Sequence, residues 1–105
     1  MEIKSQKFDL GRTLCSSQMQ IFMNHDYRFK SFVCVSLSKH KTGDWGDTFK
    51  KDWKRNDLGI EHGTSIFSVY NVPYQQQQAA GKNKKIWITT AADRSKTEII
   101  FPSEY

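Results

Sequence analysis

The residues whose types could do chemistry crowd into one stretch, His40 to Asp57, which reads HKTGDWGDTFKKDWKRND. It holds a histidine and two Gly-Asp pairs around Trp45, with Asn56 and Asp57 behind them and an Asp93-Arg94 pair much later in the chain. His40, Asp44, Asp47 and Asp93 are the donor types of a divalent metal site, or the proton carriers of general acid–base catalysis, with Arg94 beside them. Brought together, they would make the chain a small metal-dependent nuclease or hydrolase. The same residue types have plainer uses. Aspartates in Gly-rich loops cap helices and close turns. Asp47 stands where it would N-cap the run that follows, and Asp93-Arg94 would lock a hairpin or pair with the Gly-Asp loop across the fold. Scaffolding is the favoured use. The chain leans away from being an enzyme, and neither a resident metal nor a cofactor is expected.

No phosphate loop of the form G-x-x-x-x-G-K-[ST] is present, nor an H-E-x-x-H zinc helix, nor a G-x-S-x-G nucleophile elbow. Cys15 and Cys34 lack the CxxC spacing of a metal or redox pair, and only a fold that brought up His25 or His40 would activate either thiol. They read as two buried thiols.

Binding residues are easier to nominate than catalytic ones. The chain carries 16 Lys and Arg against 11 Asp and Glu, a formal net charge of +5, which favours encounter with acidic partners. Lys50 with Lys54, and Lys51 with Arg55, form a cationic face on one helix, and Lys82, Lys84 and Lys85 gather on a later tip. These could meet phosphates or carboxylates. Trp45 and Tyr74 are the candidates for stacking on bases, whereas Trp53 and Trp87 fall on core positions by period.

These residues need elements to hold them. Residues 1–9 alternate weakly, as an edge strand or an ordered arm. Ser16 and Ser17 can cap a helix over about 16–24, with Met19, Phe22 and Met23 on its apolar face. Asn24-His25-Asp26 is a turn. Phe29, Phe32 and Val33 at i, i+3 and i+4 predict a second helix toward His40, although Val33 to Ser38 also suits a strand. Residues 40–47 form a loop, and Thr48 to Asp57 a third helix on which Phe49 and Trp53 share a side. The period then changes to two. Ile66–Tyr70, Lys85–Thr90 and Thr97–Phe101 read as three strands, the last stopped by Pro102. Short connections make them an antiparallel meander. Between the first two lies Val72 to Asn83, with Gln75–Gln78 at its centre, a mobile hairpin tip over about 73–84.

One hundred and five residues make one domain. Helices first (about 16–58) and strands after (about 64–102) is an α+β pattern, with N-terminal helices packed on a three- to four-stranded antiparallel sheet. There is no membrane-spanning apolar run and no signal-peptide h-region, so a cytoplasmic protein with free thiols and no membrane partner is expected.

The segment His40-Lys-Thr-Gly-Asp-Trp-Gly-Asp47, with Asp52, Asn56-Asp57 and Ser68-Val-Tyr70, carries a likeness. So do Lys85-Ile-Trp-Ile-Thr-Thr-Ala-Ala-Asp-Arg-Ser95, Leu10-Gly11 and Pro102-Ser-Glu-Tyr105. Together they resemble a widespread group of short, mostly uncharacterised bacterial proteins found on plasmids, prophages and other mobile elements. The resemblance covers nearly the whole chain and favours the helical reading of 32–38. It implies no established activity. It implies a setting, an accessory gene whose product binds a host defence protein or nucleoprotein complex as an anti-CRISPR or antirestriction inhibitor, by surface occupation. A direct RNA- or DNA-binding role is the further alternative. The Gln75–Lys85 insertion and the basic Lys50–Arg55 face depart from the family pattern.

Overall fold

Ser16 opens the first helix in the computed structural model, which describes residues 5–105: its hydroxyl accepts from the Met19 amide at 3.1 Å. That helix, α1, spans Ser17–His25. Asp26 ends it and starts the next. Its backbone N–H still bonds back to Phe22, while its carboxylate accepts from the amides of Arg28 (2.8 Å) and Phe29 (3.1 Å). An extended φ of −144° at Asp26 lets one residue serve both helices, and α2 runs Tyr27–Lys41. Helix therefore prevails over strand at 32–38, because Phe29, Val33, Ser36 and His40 all fall on the buried stripe. The third helix, α3, spans Lys50–His62 and stops at Gly63 in the left-handed conformation.

Strands β1 (Arg12–Cys15), β2 (Ile66–Asn71), β3 (Lys85–Thr90) and β4 (Lys96–Ile100) form one sheet in the order β1-β4-β3-β2. The expected meander is present: β2 pairs with β3 and β3 with β4, both antiparallel. The sheet is nonetheless mixed, since β1 lies parallel to β4, in register Thr13↔Thr97 and Cys15↔Ile99. An all-antiparallel sheet is thus corrected. The direction of β1 is set where Gly11 crosses the Arg94–Ser95 turn. The chain must enter beside the start of β4, so Arg12 donates to the Ser95 carbonyl at 3.0 Å and the two strands run together. Gly11 has φ +63°, and a Cβ there would collide with the Arg94 carbonyl oxygen.

The expected strand or arm over residues 1–9 falls partly on residues 1–4, outside the described residues. From Ser5 to Leu10 there is no strand. This stretch is an arm pinned by the Lys7 amide on the Lys41 carbonyl (2.8 Å) and by buried Phe8. Residues 73–84 were expected to be a free tip. Instead they fold back in short turns, with Ala80 fully buried in the main core and Gly81 against the Phe22 ring.

Alternation then decides the layers. Ser68 and Tyr70, with Ile86, Ile88, Thr90, Thr97 and Ile99, are buried on the face that carries α1 and α2, while Ile66 at the start of β2 is buried in a second, smaller cluster with Phe8, Trp45 and Ile60 of α3. Met19, Phe29, Val33 and Phe101 complete that core. Phe67, Val69, Trp87, Thr89, Glu98 and Ile100 point the other way and are half-buried. Among the described residues no helix covers that face, because α3 lies along the edge of β2 instead.

Candidate functional site

His40 is fully buried at the end of α2. Its Nδ1 meets Ser68 Oγ at 2.6 Å and its Nε2 meets Thr90 Oγ1 at 2.9 Å. Beyond Thr90 the chain continues to Thr97 Oγ1 (2.7 Å), whose hydroxyl donates to the Leu10 carbonyl (2.7 Å). A carbonyl only accepts, and each hydroxyl has one proton to give. Thr97 gives its proton to Leu10, so Thr90 must donate to Thr97 and accept from His40. The imidazole is therefore the Nε2–H tautomer, and Ser68 donates to Nδ1. Around the ring stand Phe8 (5.3 Å between centroids) and Trp45 (5.8 Å) rather than any carboxylate. Burial alone accordingly pushes the imidazole down to about 3, so it is neutral at pH 7. With both nitrogens engaged, His40 ties α2 to β2, β3 and β4 and has no lone pair left for a metal.

The Gly-Asp-Trp-Gly-Asp loop has a structural task of equal weight. Antiparallel pairing of β2 with β3 leaves the outward amides and carbonyls of Phe67, Val69 and Asn71 on an open edge. The 47–56 segment satisfies them in turn. The Asp47 amide donates to the Val69 carbonyl (2.8 Å) and its carboxylate accepts from the Asn71 amide (2.8 Å). Thr48 Oγ1 accepts from the Val69 amide at 2.8 Å. The Asn56 amide group then imitates a strand neighbour, donating to the Phe67 carbonyl (2.6 Å) and accepting from the Phe67 amide (3.1 Å). Gly46, at φ +59°, makes an isolated parallel bridge to Val69 and passes so close to the Tyr70 ring that a Cβ would overlap it.

Two corrections follow. Asp47 is not the N-cap of α3. Phe49 holds that position without a side-chain cap, because the Asp47 carboxylate is spent on the sheet edge. Trp45 is not a stacking residue either. It is 2% exposed, lies against Phe8, and donates from Nε1 to Asp57 Oδ1 at 2.9 Å, fastening the loop to α3. Asp44 is exposed. Its carboxylate accepts from the Gly46 amide (3.2 Å) and its carbonyl from the Tyr70 hydroxyl (2.9 Å). Burial raises the Tyr70 phenol well above its ordinary range, keeping it a donor there.

Asp93 and Arg94 belong to the β3–β4 turn. The Asp93 carboxylate accepts from the Ser95 amide (2.9 Å), and its bonds to the Ser95 hydroxyl and amide hold it below the usual range. Arg94 adopts φ +61°, a left-handed strain held in place by its guanidinium. That group donates to Gly59 O (2.8 Å), in the last turn of α3, and to Thr64 O (2.6 Å), just past its end, and sits over the Phe8 ring at 5.5 Å. The metal-site constellation is therefore not assembled. Among the described residues no group of three or more His, Cys, Asp and Glu is placed to hold a metal ion. The thiols also depart from expectation: Cys15 is half-buried, with its pKa raised by burial and by Cys34 nearby, and Cys34 is exposed.

Apart from Trp45, the nominated binding residues lie on the surface. Lys50, Lys51, Lys54 and Arg55 are exposed along α3, with Arg55 only 3.9 Å from Asp52. Lys82, Lys84 and Lys85 are exposed, and Tyr74 is 84% exposed. Trp53 and Trp87, expected in the core, are the accessible indoles. Trp53 is 37% exposed, and Trp87 lies on the uncovered sheet face.

That face is the feature missed in sequence reasoning. Phe67 and Trp87 meet edge to face at 5.1 Å, and Tyr105 adds a third ring 5.5 Å from Trp87. A groove of about 430 Å³ lies on one side of this ridge, lined by Thr89, Lys96, Glu98 and Tyr105 with the two rings. A second, of about 550 Å³, lies on the other side, lined by Phe49, Val69, Asn71 and Lys85 with the same rings. The signal was present: in Ile86-Trp87-Ile88 and Ile66-Phe67-Ser68-Val69 both faces of the strand are apolar, yet the chain has too few helices to cover both.

No family model, no curated protein and no solved structure matches this chain. Among the described residues no helix is long and apolar enough to cross a membrane.

Proposed function

We propose that this chain is a non-enzymatic binding protein that works by laying its uncovered sheet face against a macromolecular partner. The observation that carries the reading is a division of labour. The residues able to do chemistry, His40, Asp47, Asn56, Asp57 and Arg94, are consumed in holding the fold: Asp47, Asn56 and Arg94 bond backbone groups, His40 the hydroxyls of Ser68 and Thr90, and Asp57 the Trp45 indole. The aromatic residues Phe67, Trp87 and Tyr105 meanwhile stand on a face that, among the described residues, none of the three α-helices covers. An apolar face flanked by exposed lysines is the composition of an interface, with rings at its centre and charge at its rim.

The partner class follows from the resemblance: a host defence protein or nucleoprotein complex of the CRISPR or restriction type, blocked by occupation of its surface. The net charge of +5 suits the acidic face of such a complex. The test is capture of partners from a bacterial lysate by the tagged protein and by a Trp87→Ala variant, each with and without nuclease. A partner held by the wild type and lost with Trp87→Ala is expected. Capture that Trp87→Ala leaves unchanged, with the variant folded by circular dichroism, would refute the reading.

A further inference from the structure

We infer that the uncovered sheet face takes single-stranded nucleic acid, with bases stacking on Phe67, Trp87 and Tyr105 and phosphates meeting Arg12, Lys85 and Lys96. The inference rests on the binding reading above and names the occupant of the same face.

The rings are placed for it. Phe67 on β2 and Trp87 on β3 are diagonal neighbours, since Val69 pairs with Trp87 and Phe67 with Thr89. Their T-shaped contact, and that of Trp87 with Tyr105, links the three rings in series on that face, with Trp87 between the other two. Every base has a π-face, so such a series accepts unpaired bases whatever their sequence. The grooves on either side of the ridge give each base a slot walled by an aromatic ring. A duplex keeps its bases stacked inside and offers no such faces.

The cations bracket the rings. Lys85 begins β3 and lines one groove; Lys96 begins β4 and lines the other. Because β3 and β4 are antiparallel, these lysines stand at opposite ends of the face, about 20 Å apart along β3 at ~3.3 Å per residue. Arg12 pairs with Lys96 in the β1–β4 register and so shares its side of the sheet. The carboxylates bordering the face have partners, Asp52 in the second groove lying 3.9 Å from Arg55. Glu98 lies 3.0 Å from Lys96, and Asp47 is held on the Asn71 amide. The Lys96–Glu98 pair is exposed and gives way readily to a phosphate. A span of this length suits a site of about four nucleotides, the low end for a sheet surface that binds single strands.

The test is fluorescence anisotropy of labelled 12-mers of oligo(dT) and oligo(rU), and of a duplex of the same length, from about 50 to 200 mM salt. Binding of both single strands at least tenfold tighter than the duplex is expected. Three phosphate contacts predict a slope of log K against log salt near roughly −2. Trp87→Ala should weaken binding about tenfold or more. Tyr105→Ala, at a residue 87% exposed and so without risk to the fold, should weaken it several-fold. Absence of single-strand binding, equal binding of the duplex, or indifference to both aromatic variants overturns the inference. If the oligonucleotides fail while a nuclease-resistant partner is still lost with Trp87→Ala, the occupant is a protein: this inference falls and the binding reading stands. If the face variants change neither experiment, both fall.

Discussion

The buried histidine gives the sharpest handle on how the fold is held. In the unfolded chain His40 titrates near 6.5; in the folded protein burial has moved it to about 3. A histidine with a lowered folded pKa contributes stability that is fully present above pH 6.5. It is lost as pH falls toward 3, because the unfolded state takes up a proton that the folded state refuses. Well below pH 6.5 each pH unit in that window costs about 1.4 kcal/mol, so acidification from pH 7.5 to 4.5 should remove about 2.7 kcal/mol through this residue alone. His40→Gln keeps a neutral donor and acceptor but cannot titrate. Its loss of ring packing and shifted geometry should cost about 1–3 kcal/mol at pH 7. The decisive quantity is the difference between wild type and His40→Gln as pH changes, since the carboxylates common to both cancel. Urea unfolding followed by tryptophan fluorescence at several pH values between 7.5 and 4.5 measures it. The gap should narrow by about 2 kcal/mol by pH 5, closing or reversing there if it starts at about 2 kcal/mol or less. A gap that stays constant across that range would refute the assignment of His40 as a buried, neutral Nε2–H donor.

Two further substitutions probe the latch. Asn56→Ala removes both bonds to the Phe67 backbone and strips the cover from the start of the β2 edge, so a loss of about 2–3 kcal/mol in urea unfolding is expected. The bared edge should also produce concentration-dependent association in size-exclusion chromatography; a stable monomer of wild-type stability would show the edge is protected some other way. Arg94→Lys keeps the charge but loses the fork that spans the Gly59 and Thr64 carbonyls, and should lower the thermal midpoint by about 4–8 °C, on the order of 1 kcal/mol for a chain of this size. A midpoint unmoved by Arg94→Lys would mean that charge alone holds the end of α3.

The sequence by itself determined most of the elements, because their signals are local; β1 is the exception, a four-residue strand at Arg12–Cys15 ordered by its pairing with β4, where a strand or arm over residues 1–9 was expected instead. Ser16 and Asp26 mark helix starts through side-chain oxygens that reach amides two or three residues on, and the change of period after Gly63 separates helices from strands. The α+β class follows from that order alone. It also singled out the residues that matter, since His40, Trp45, Asp47, Asn56, Asp57 and Arg94 all hold specific partners. It could not say what they were for. Asp47 satisfies local N-cap rules at α3, yet its carboxylate goes to Asn71, 24 positions away, where an unpaired strand edge needs it more. The direction of β1 was likewise hidden, because it depends on Gly11 crossing a turn that lies more than eighty positions later in the chain. The exchange of roles among the tryptophans has the same cause. Period two tells that Trp87 faces away from Ile86 and Ile88, but not which face the helices cover. Only the packing of α1 and α2 on one side, with α3 drawn off to guard the β2 edge, left Trp87 half-buried on the open face and sealed Trp45 inside.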